Sequence, residues 1–90
     1  MVTVLIRHRV KDYVAWRKVF DAFQEKGSPE GRLESTVAQV AGDENDVVII
    51  DRWSDAATAK QWYFDHLRAA FKLAGVVENP TMEYLTVLED

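Results

Sequence analysis

The chain has 90 residues, which is enough for one domain with a single hydrophobic core. Eleven basic and fifteen acidic residues leave a net charge of −4, which does not suit a protein that must neutralise nucleic-acid phosphates. The chain contains no cysteine, so disulfides, thiolate nucleophiles and thiolate metal ligands are excluded. We therefore expect residues 1–90 to form one globular domain that does not bind nucleic acid.

The distribution of apolar residues favours a cytoplasmic protein. The first twelve residues, MVTVLIRHRVKD, carry their charges after the apolar run, whereas a signal peptide has the reverse order. No apolar stretch approaches the roughly 20 residues that a membrane span requires. We accordingly expect a cytoplasmic protein without a membrane partner.

A strand and a helix are predicted first along the chain. Val2–Val10 is rich in β-branched residues, and one face of this strand is apolar as far as His8. Asp12 is suited to cap the next segment because its carboxylate can accept free backbone N–H groups. Apolar residues then recur at three- and four-residue steps through Phe23, which predicts an amphipathic helix that ends at Gly27.

A β-hairpin is predicted next. Leu33–Ala41 has the composition of a strand, and GDEN at positions 42–45 is a strong turn sequence. Asp46–Trp53 is the most apolar strand of the chain, which indicates a central place in the sheet.

The second half of the chain predicts a helix and a final strand. Ser54 is a suitable N-cap, and the helix runs from Asp55 to about Leu73. AGVVENP, at positions 74–80, ends this helix, and Thr81–Leu88 reads as a strand. The order βαββαβ predicts an α+β, ferredoxin-like fold, in which two helices cover one face of a four-stranded antiparallel sheet.

The second sheet face is also apolar. In the third strand Val47 and Ile49 point to one side, while Val48 and Ile50 point to the other. A face that meets water should alternate more cleanly with polar residues, so this face should pack on something. A second copy of the same sheet is the simplest covering, and we expect a homodimer.

Two segments resemble the antibiotic-biosynthesis-monooxygenase-like group of the dimeric α+β barrel superfamily. They are RHRVKDYVAWRKVFD at positions 7–21 and WSDAATAKQW at positions 53–62. The resemblance covers nearly the whole chain and implies a dimeric α+β barrel. It does not select one activity, because this superfamily includes cofactor-free oxygenases, heme enzymes, isomerases and ligand-binding domains.

The heme-degrading branch also resembles the chain from Trp53 onward, with Trp62 as its second tryptophan. That resemblance would place the proximal histidine at the position of Lys72, and it implies an asparagine in the first strand, where none occurs. We therefore expect no heme and no other cofactor. The two histidines of the chain lack a metal-ligand spacing, so no metal site is expected either.

The second helix carries an aromatic stripe whose members share one helical face. These residues are Ala59, Trp62, Tyr63, His66, Ala70 and Leu73. Phe64 and Phe71 do not fit the stripe, so either they meet the other helix or the helix breaks near Asp65–His66. The resemblance favours the break, since related second helices often have two parts.

Six residues are candidates for a site. His66 and His8 are candidate general bases, because imidazole titrates near neutral pH. Trp62, Phe20 and Phe23 could be the walls of a ligand pocket, and Arg52 could be a partner for an anion. The alternative for both histidines and for Trp62 is an ordinary place in or beside the core.

A second reading of the arginines also stays open. Arg7, Arg9 and Arg52 could instead form salt bridges across the dimer, with Asp51, Glu34 or Glu83 as partners.

Two functions fit these residues. The first is a cofactor-independent monooxygenase that binds an aromatic or polyketide-like small molecule between the helices and the sheet. The second is a dimeric ligand-binding or accessory domain without catalysis.

Overall fold

The structure, a computed structural model, describes residues 1–73, 75–77 and 80–88, without the side chains of Arg68 and Leu73. Its elements are β1 (Val2–Arg9), α1 (Tyr13–Glu25), β2 (Arg32–Val40), β3 (Asp43–Trp53), α2 (Ala56–Leu73) and β4 (Thr81–Thr86). The predicted βαββαβ order is confirmed. Positions 74, 78 and 79 of the predicted loop at 74–80 lie outside the described residues. The side chain of Leu73, which the sequence places in the aromatic stripe, is also not described.

The four strands form one antiparallel sheet in the order β2-β3-β1-β4. The central place predicted for β3 is confirmed, because β3 pairs with β2 on one side and with β1 on the other. In this register His8 lies opposite Val47, and Val4 lies opposite Asp51. These pairs place one histidine and one aspartate on the same sheet face.

Acidic side chains cap both helices. The Asp12 carboxylate accepts hydrogen bonds from the backbone N–H groups of Val14 and Ala15, as the sequence predicts. The N-cap of α2 was predicted at Ser54, but the Asp55 carboxylate accepts the N–H of Thr58 at 2.9 Å. Because α2 begins at Ala56, Asp55 is the residue placed to receive the free N–H groups of the first turn.

The β2–β3 turn is tighter than predicted. Val40 pairs with Asp43, so the turn consists of Ala41–Gly42 and not of the four residues GDEN. Gly42 has a φ of +84°, a left-handed conformation that glycine adopts readily. The strand therefore begins three residues earlier than the sequence indicated.

The break predicted in α2 does not occur. The helix is continuous from Ala56 to Leu73, and no glycine or proline near Asp65–His66 would interrupt its hydrogen bonds. Phe64 is 84% exposed, so it does not meet the other helix. Phe71 turns inward, and its ring lies 4.9 Å from the His8 ring.

Both helices pack on one face of the sheet, which we call the covered face. Its core comprises Val2, Val4, Ile6, Val47, Ile49 and Trp53 of the strands, with Trp16, Ala59 and Tyr63 of the helices. The predicted arrangement of two helices on one face is confirmed.

The opposite face, which we call the open face, carries Leu5, Arg7, Val48, Ile50 and Arg52 among its central residues. Among the described residues, no helix packs on this face. Its charges are paired: Arg7 donates two hydrogen bonds to Asp46, and Arg52 donates one to Glu34.

Candidate ligand cavity

A cavity of about 80 Å³ lies between the two helices and the covered face. Its apolar lining consists of Ile6, Trp16, Phe20, Phe23, Ile49, Trp62, Leu67, Ala70 and Phe71. Its polar lining consists of Gln24, Arg32, Asp51, Tyr63 and His66. A mainly apolar wall with a few polar groups is the usual composition of a small-molecule site.

The helical period brings four of the predicted site residues to this cavity. Phe20 and Phe23 are three residues apart on α1, and Trp62 and His66 are four apart on α2, so each pair shares one face of its helix. Phe20 stacks on Trp16 with ring centroids 5.1 Å apart, which fixes the α1 wall against the core.

Trp62 and His66 form the solvent side of the cavity. The His66 ring stacks on Trp62 with centroids 4.9 Å apart, and its Nδ1 lies 2.9 Å from the Trp62 carbonyl oxygen. Because a carbonyl oxygen only accepts, Nδ1 carries the hydrogen, and Nε2 of the neutral ring is left as an acceptor. The His66 side chain is exposed, while Trp62 is half-buried.

A buried chain of hydrogen bonds forms the floor. The Trp53 indole N–H donates to the Tyr63 hydroxyl at 3.0 Å, and that hydroxyl donates to Asp51 Oδ2 at 2.5 Å. Burial and the neighbouring Asp51 charge raise the pKa of Tyr63, so its hydroxyl keeps its hydrogen. Asp51 is 2% exposed, and its second oxygen, Oδ1, has no hydrogen-bond partner among the described residues.

His8 lies outside the lining of the cavity. Its ring is 3% exposed and lies between Trp16 and Phe71, with centroid distances of 5.5 and 4.9 Å. Neither ring nitrogen has a hydrogen-bond partner among the described residues. Burial lowers the pKa of His8 to about 4, so the ring is neutral near pH 7. This enclosed place does not favour the role of general base that the sequence suggested for His8.

The predicted group of arginines with Asp51 is divided between the two sheet faces. Arg52 follows Asp51 directly in β3, and successive strand residues point to opposite faces. Arg52 therefore lies on the open face, where it bonds Glu34 at 2.8 Å, and it is not the anion partner of this cavity.

Among the described side chains, Arg32 is the arginine that lines the cavity, and it was not among the site residues predicted from the sequence. Its Nη2 donates to Gln24 at 2.5 Å, its Nε donates to Ser28 at 3.2 Å, and its guanidinium lies 5.8 Å from the centre of the Trp62 ring. Asp51 was also missed as a cavity residue, although the two-residue period of β3 places it beside Ile49 on the covered face.

Two further features concern the described part of the chain. No cluster of three or more histidine, aspartate or glutamate side chains there could hold a metal ion. None of its helices has the length and apolar character needed to cross a membrane.

The fold and the cavity define a class: an α+β domain of ferredoxin-like topology with an aromatic cavity between the helices and the sheet. Solved structures of antibiotic biosynthesis monooxygenases share this fold. SnoaB from Streptomyces nogalater, a cofactor-independent oxygenase, matches with a TM-score of 0.74 and 20% identity, covering 99% of this chain and 94% of its own.

Two other structures extend the comparison. The "Putative antibiotic biosynthesis monooxygenase from Nitrosomonas europaea" matches with a TM-score of 0.79 and 14% identity, over 99% of this chain and 100% of its own. Another antibiotic biosynthesis monooxygenase matches with a TM-score of 0.69 and 15% identity, over 99% and 100% of the two chains. No family model and no curated protein sequence matches the chain. At these identities the similarity shows the fold of the single chain alone, and this is the ferredoxin-like fold that the order of the elements predicted.

Proposed function

We propose that the chain acts as one domain that binds an aromatic or polyketide-like molecule in this cavity and oxidises it with O₂, without a cofactor. The observation that carries the proposal is an aromatic cavity in which a few polar side chains, Arg32, Asp51 and His66, converge. The fold shared with SnoaB, a cofactor-independent oxygenase, supports the same class of reaction.

The residues need only accept a proton and exclude water, because the substrate itself supplies the electrons. Nε2 of His66 accepts a proton from an acidic ring position, and the resulting anion reacts with O₂. A ring CH₂ and one O₂ become a ring C=O and one H₂O, so no external reductant is needed. Phe20, Phe23 and Trp62 exclude water from the anion and hold the ring in place.

The size of the cavity favours a second candidate, a ligand-binding domain without catalysis. A volume of about 80 Å³ is small beside the roughly 300–1,000 Å³ of ordinary ligand sites. A multi-ring substrate would therefore enter only if the side chains at the solvent side, Trp62 and the exposed His66, move outward.

We also propose that the open face pairs with a second copy of the chain. Leu5, Val48 and Ile50 form an apolar strip at its centre, and this strip lacks a covering helix among the described residues. Isologous pairing of the same strip on two copies would bury it. The absence of cysteine supports a reducing compartment, and we propose the cytoplasm.

Oxygen uptake tests the proposed reaction. An oxygen electrode would compare the wild type with His66→Ala, using as substrate an anthrone, which carries the ring CH₂ that the step oxidises. We expect the loss of a general base to lower the enzyme-dependent rate about 10²- to 10⁴-fold. Phe64→Ala, an exposed change on the same helix, is the matched control and should keep the wild-type rate.

The outcomes separate the two candidates. Ligand binding without oxygen uptake above the buffer rate would favour the domain without catalysis. Equal uptake by the wild type and His66→Ala would remove His66 from the reaction.

A further inference from the structure

The geometry of the cavity floor points to a specific selectivity: we propose that Asp51 Oδ1 accepts a hydrogen bond from the ligand, so that the cavity selects aromatic molecules with a hydroxyl group. This inference rests on the proposed aromatic cavity and deepens it, because it states which substituent the ligand must carry.

The position of Asp51 supports this role. The residue lies on the central strand β3, opposite Val4 of β1 and Ser35 of β2, so its backbone is held from both sides. Its side chain lines the cavity and is 98% removed from solvent, since only 2% is exposed. A buried carboxylate oxygen without a partner is rare and destabilising in folded proteins, and this one belongs to a residue that lines the cavity.

The neighbouring hydrogen bonds determine which kind of group can meet Oδ1. The Tyr63 hydroxyl already accepts from the Trp53 indole, and its own hydrogen is directed to Asp51 Oδ2. The network therefore offers no further donor to Asp51 from Tyr63 or Trp53. A carboxylate only accepts, so Oδ1 presents an acceptor to whatever occupies the cavity.

A water molecule or a ligand hydroxyl can satisfy this oxygen, whereas an ether or a ring C–H cannot. A ligand that displaces water from Oδ1 without replacing its hydrogen bond leaves the carboxylate unpaired and loses affinity. The expected preference for a hydroxyl over the matching methyl ether is about tenfold to a hundredfold.

Isothermal titration calorimetry with phenol and anisole, single-ring probes suited to a cavity of about 80 Å³, tests this selectivity, because anisole lacks the hydroxyl donor of phenol. The wild type should bind phenol at least tenfold more tightly. Asp51→Asn should reduce the ratio of the two affinities to below about threefold. The Tyr63 hydroxyl still donates to an oxygen, so the amide oxygen of the asparagine takes the position of Oδ2 and its NH₂ group takes the position of Oδ1. An NH₂ group is a donor, so it no longer accepts a hydrogen bond from a ligand hydroxyl. Asp21→Asn, an exposed change on α1, should leave the ratio unchanged.

Each outcome is decisive. Equal binding of both probes by the wild type would overturn the selectivity and leave the aromatic cavity standing. Binding of neither probe would overturn the cavity as a ligand site and this inference with it. A folded Asp51→Asn variant, as judged by circular dichroism, that keeps the wild-type ratio would also contradict the assignment. If that variant does not fold, the wild-type ratio alone decides.

Discussion

The two faces of the sheet treat polar side chains in opposite ways. On the open face, charges pair with one another, as the exposed side chain of Arg7 does with the buried Asp46 and as Arg52 does with the exposed Glu34. On the covered face, His8 and Asp51 are buried, and each leaves at least one polar atom without a partner among the described residues. Unused hydrogen-bonding capacity is thus found on the covered face, and at Asp51 it belongs to a residue that lines the cavity, where a ligand could use it.

The two buried polar residues of the covered face also differ from each other. His8 is enclosed by aromatic rings, and burial holds its pKa near 4, so it behaves as a neutral core residue. Asp51 borders the cavity and is oriented by Tyr63. Burial of a polar group therefore does not by itself indicate a functional role. The two residues differ in that Asp51 lines the cavity, whereas His8 does not.

The largest expected effect comes from Tyr63→Phe. Removing this hydroxyl leaves the Trp53 indole N–H and Asp51 Oδ2 buried without partners, which should lower the free energy of unfolding by about 2–4 kcal/mol. Glu34→Gln, which removes an exposed ion pair with Arg52, should change it by less than about 1 kcal/mol. Urea unfolding of both variants measures the contrast between the faces, and equal losses would contradict it.

The next effect is the acid sensitivity of the covered face. The pKa of His8 is about 4 in the folded chain and 6.5 in the unfolded reference, so the unfolded chain binds more protons between these values. Stability should therefore fall as the pH drops from 6.5 to 4, by up to about 3 kcal/mol. The pKa values of Asp43, Asp46 and Asp55 are lowered from the ordinary value of 3.8, so these carboxylates contribute from about pH 5 downward, at the acid end of this window and below it.

Thermal unfolding between pH 7 and 4 measures this dependence. His8→Leu should flatten the slope, because the group that takes up the proton on unfolding is removed. Phe64→Ala, an exposed change on α2 that removes no titratable group, is the control and should keep the wild-type slope. A His8→Leu variant with an unchanged slope would show that another group is responsible.

The smallest effect on the stability of the single folded chain is expected from a substitution on the open face. Ile50→Lys places a charge in the apolar strip that we propose as the dimer interface, so it should shift the protein from dimer to monomer while the fold persists. Light scattering should give about twice the 10.3 kDa chain mass for the wild type and one chain mass for the variant. Phe64→Lys, on the exposed side of α2, should remain dimeric. A monomeric wild type at micromolar concentration would contradict the proposed interface.

Local patterns predicted much of this fold because the responsible interactions are short-ranged. The two-residue period of β1 correctly placed His8 on the buried face, and the Asp12 cap correctly located the start of α1. The same local rules align Phe20 with Phe23 on α1 and Trp62 with His66 on α2, because each pair follows the helical spacing, and packing of the helices brings the two pairs to one cavity. The predicted break in α2 came from the resemblance to other chains. The helix is continuous, so this prediction is wrong.

The sequence by itself determined the order of the elements, the faces of the strands and the aromatic character of α2, since these depend on neighbours a few positions away. Tertiary structure decided which polar groups meet. Arg32 comes to the cavity through the pairing of β2 with β3, and Asp51 acquires its role only when Tyr63 of α2 docks above it. Contacts between residues this far apart in the chain depend on how the helices pack on the sheet, which no local pattern specifies.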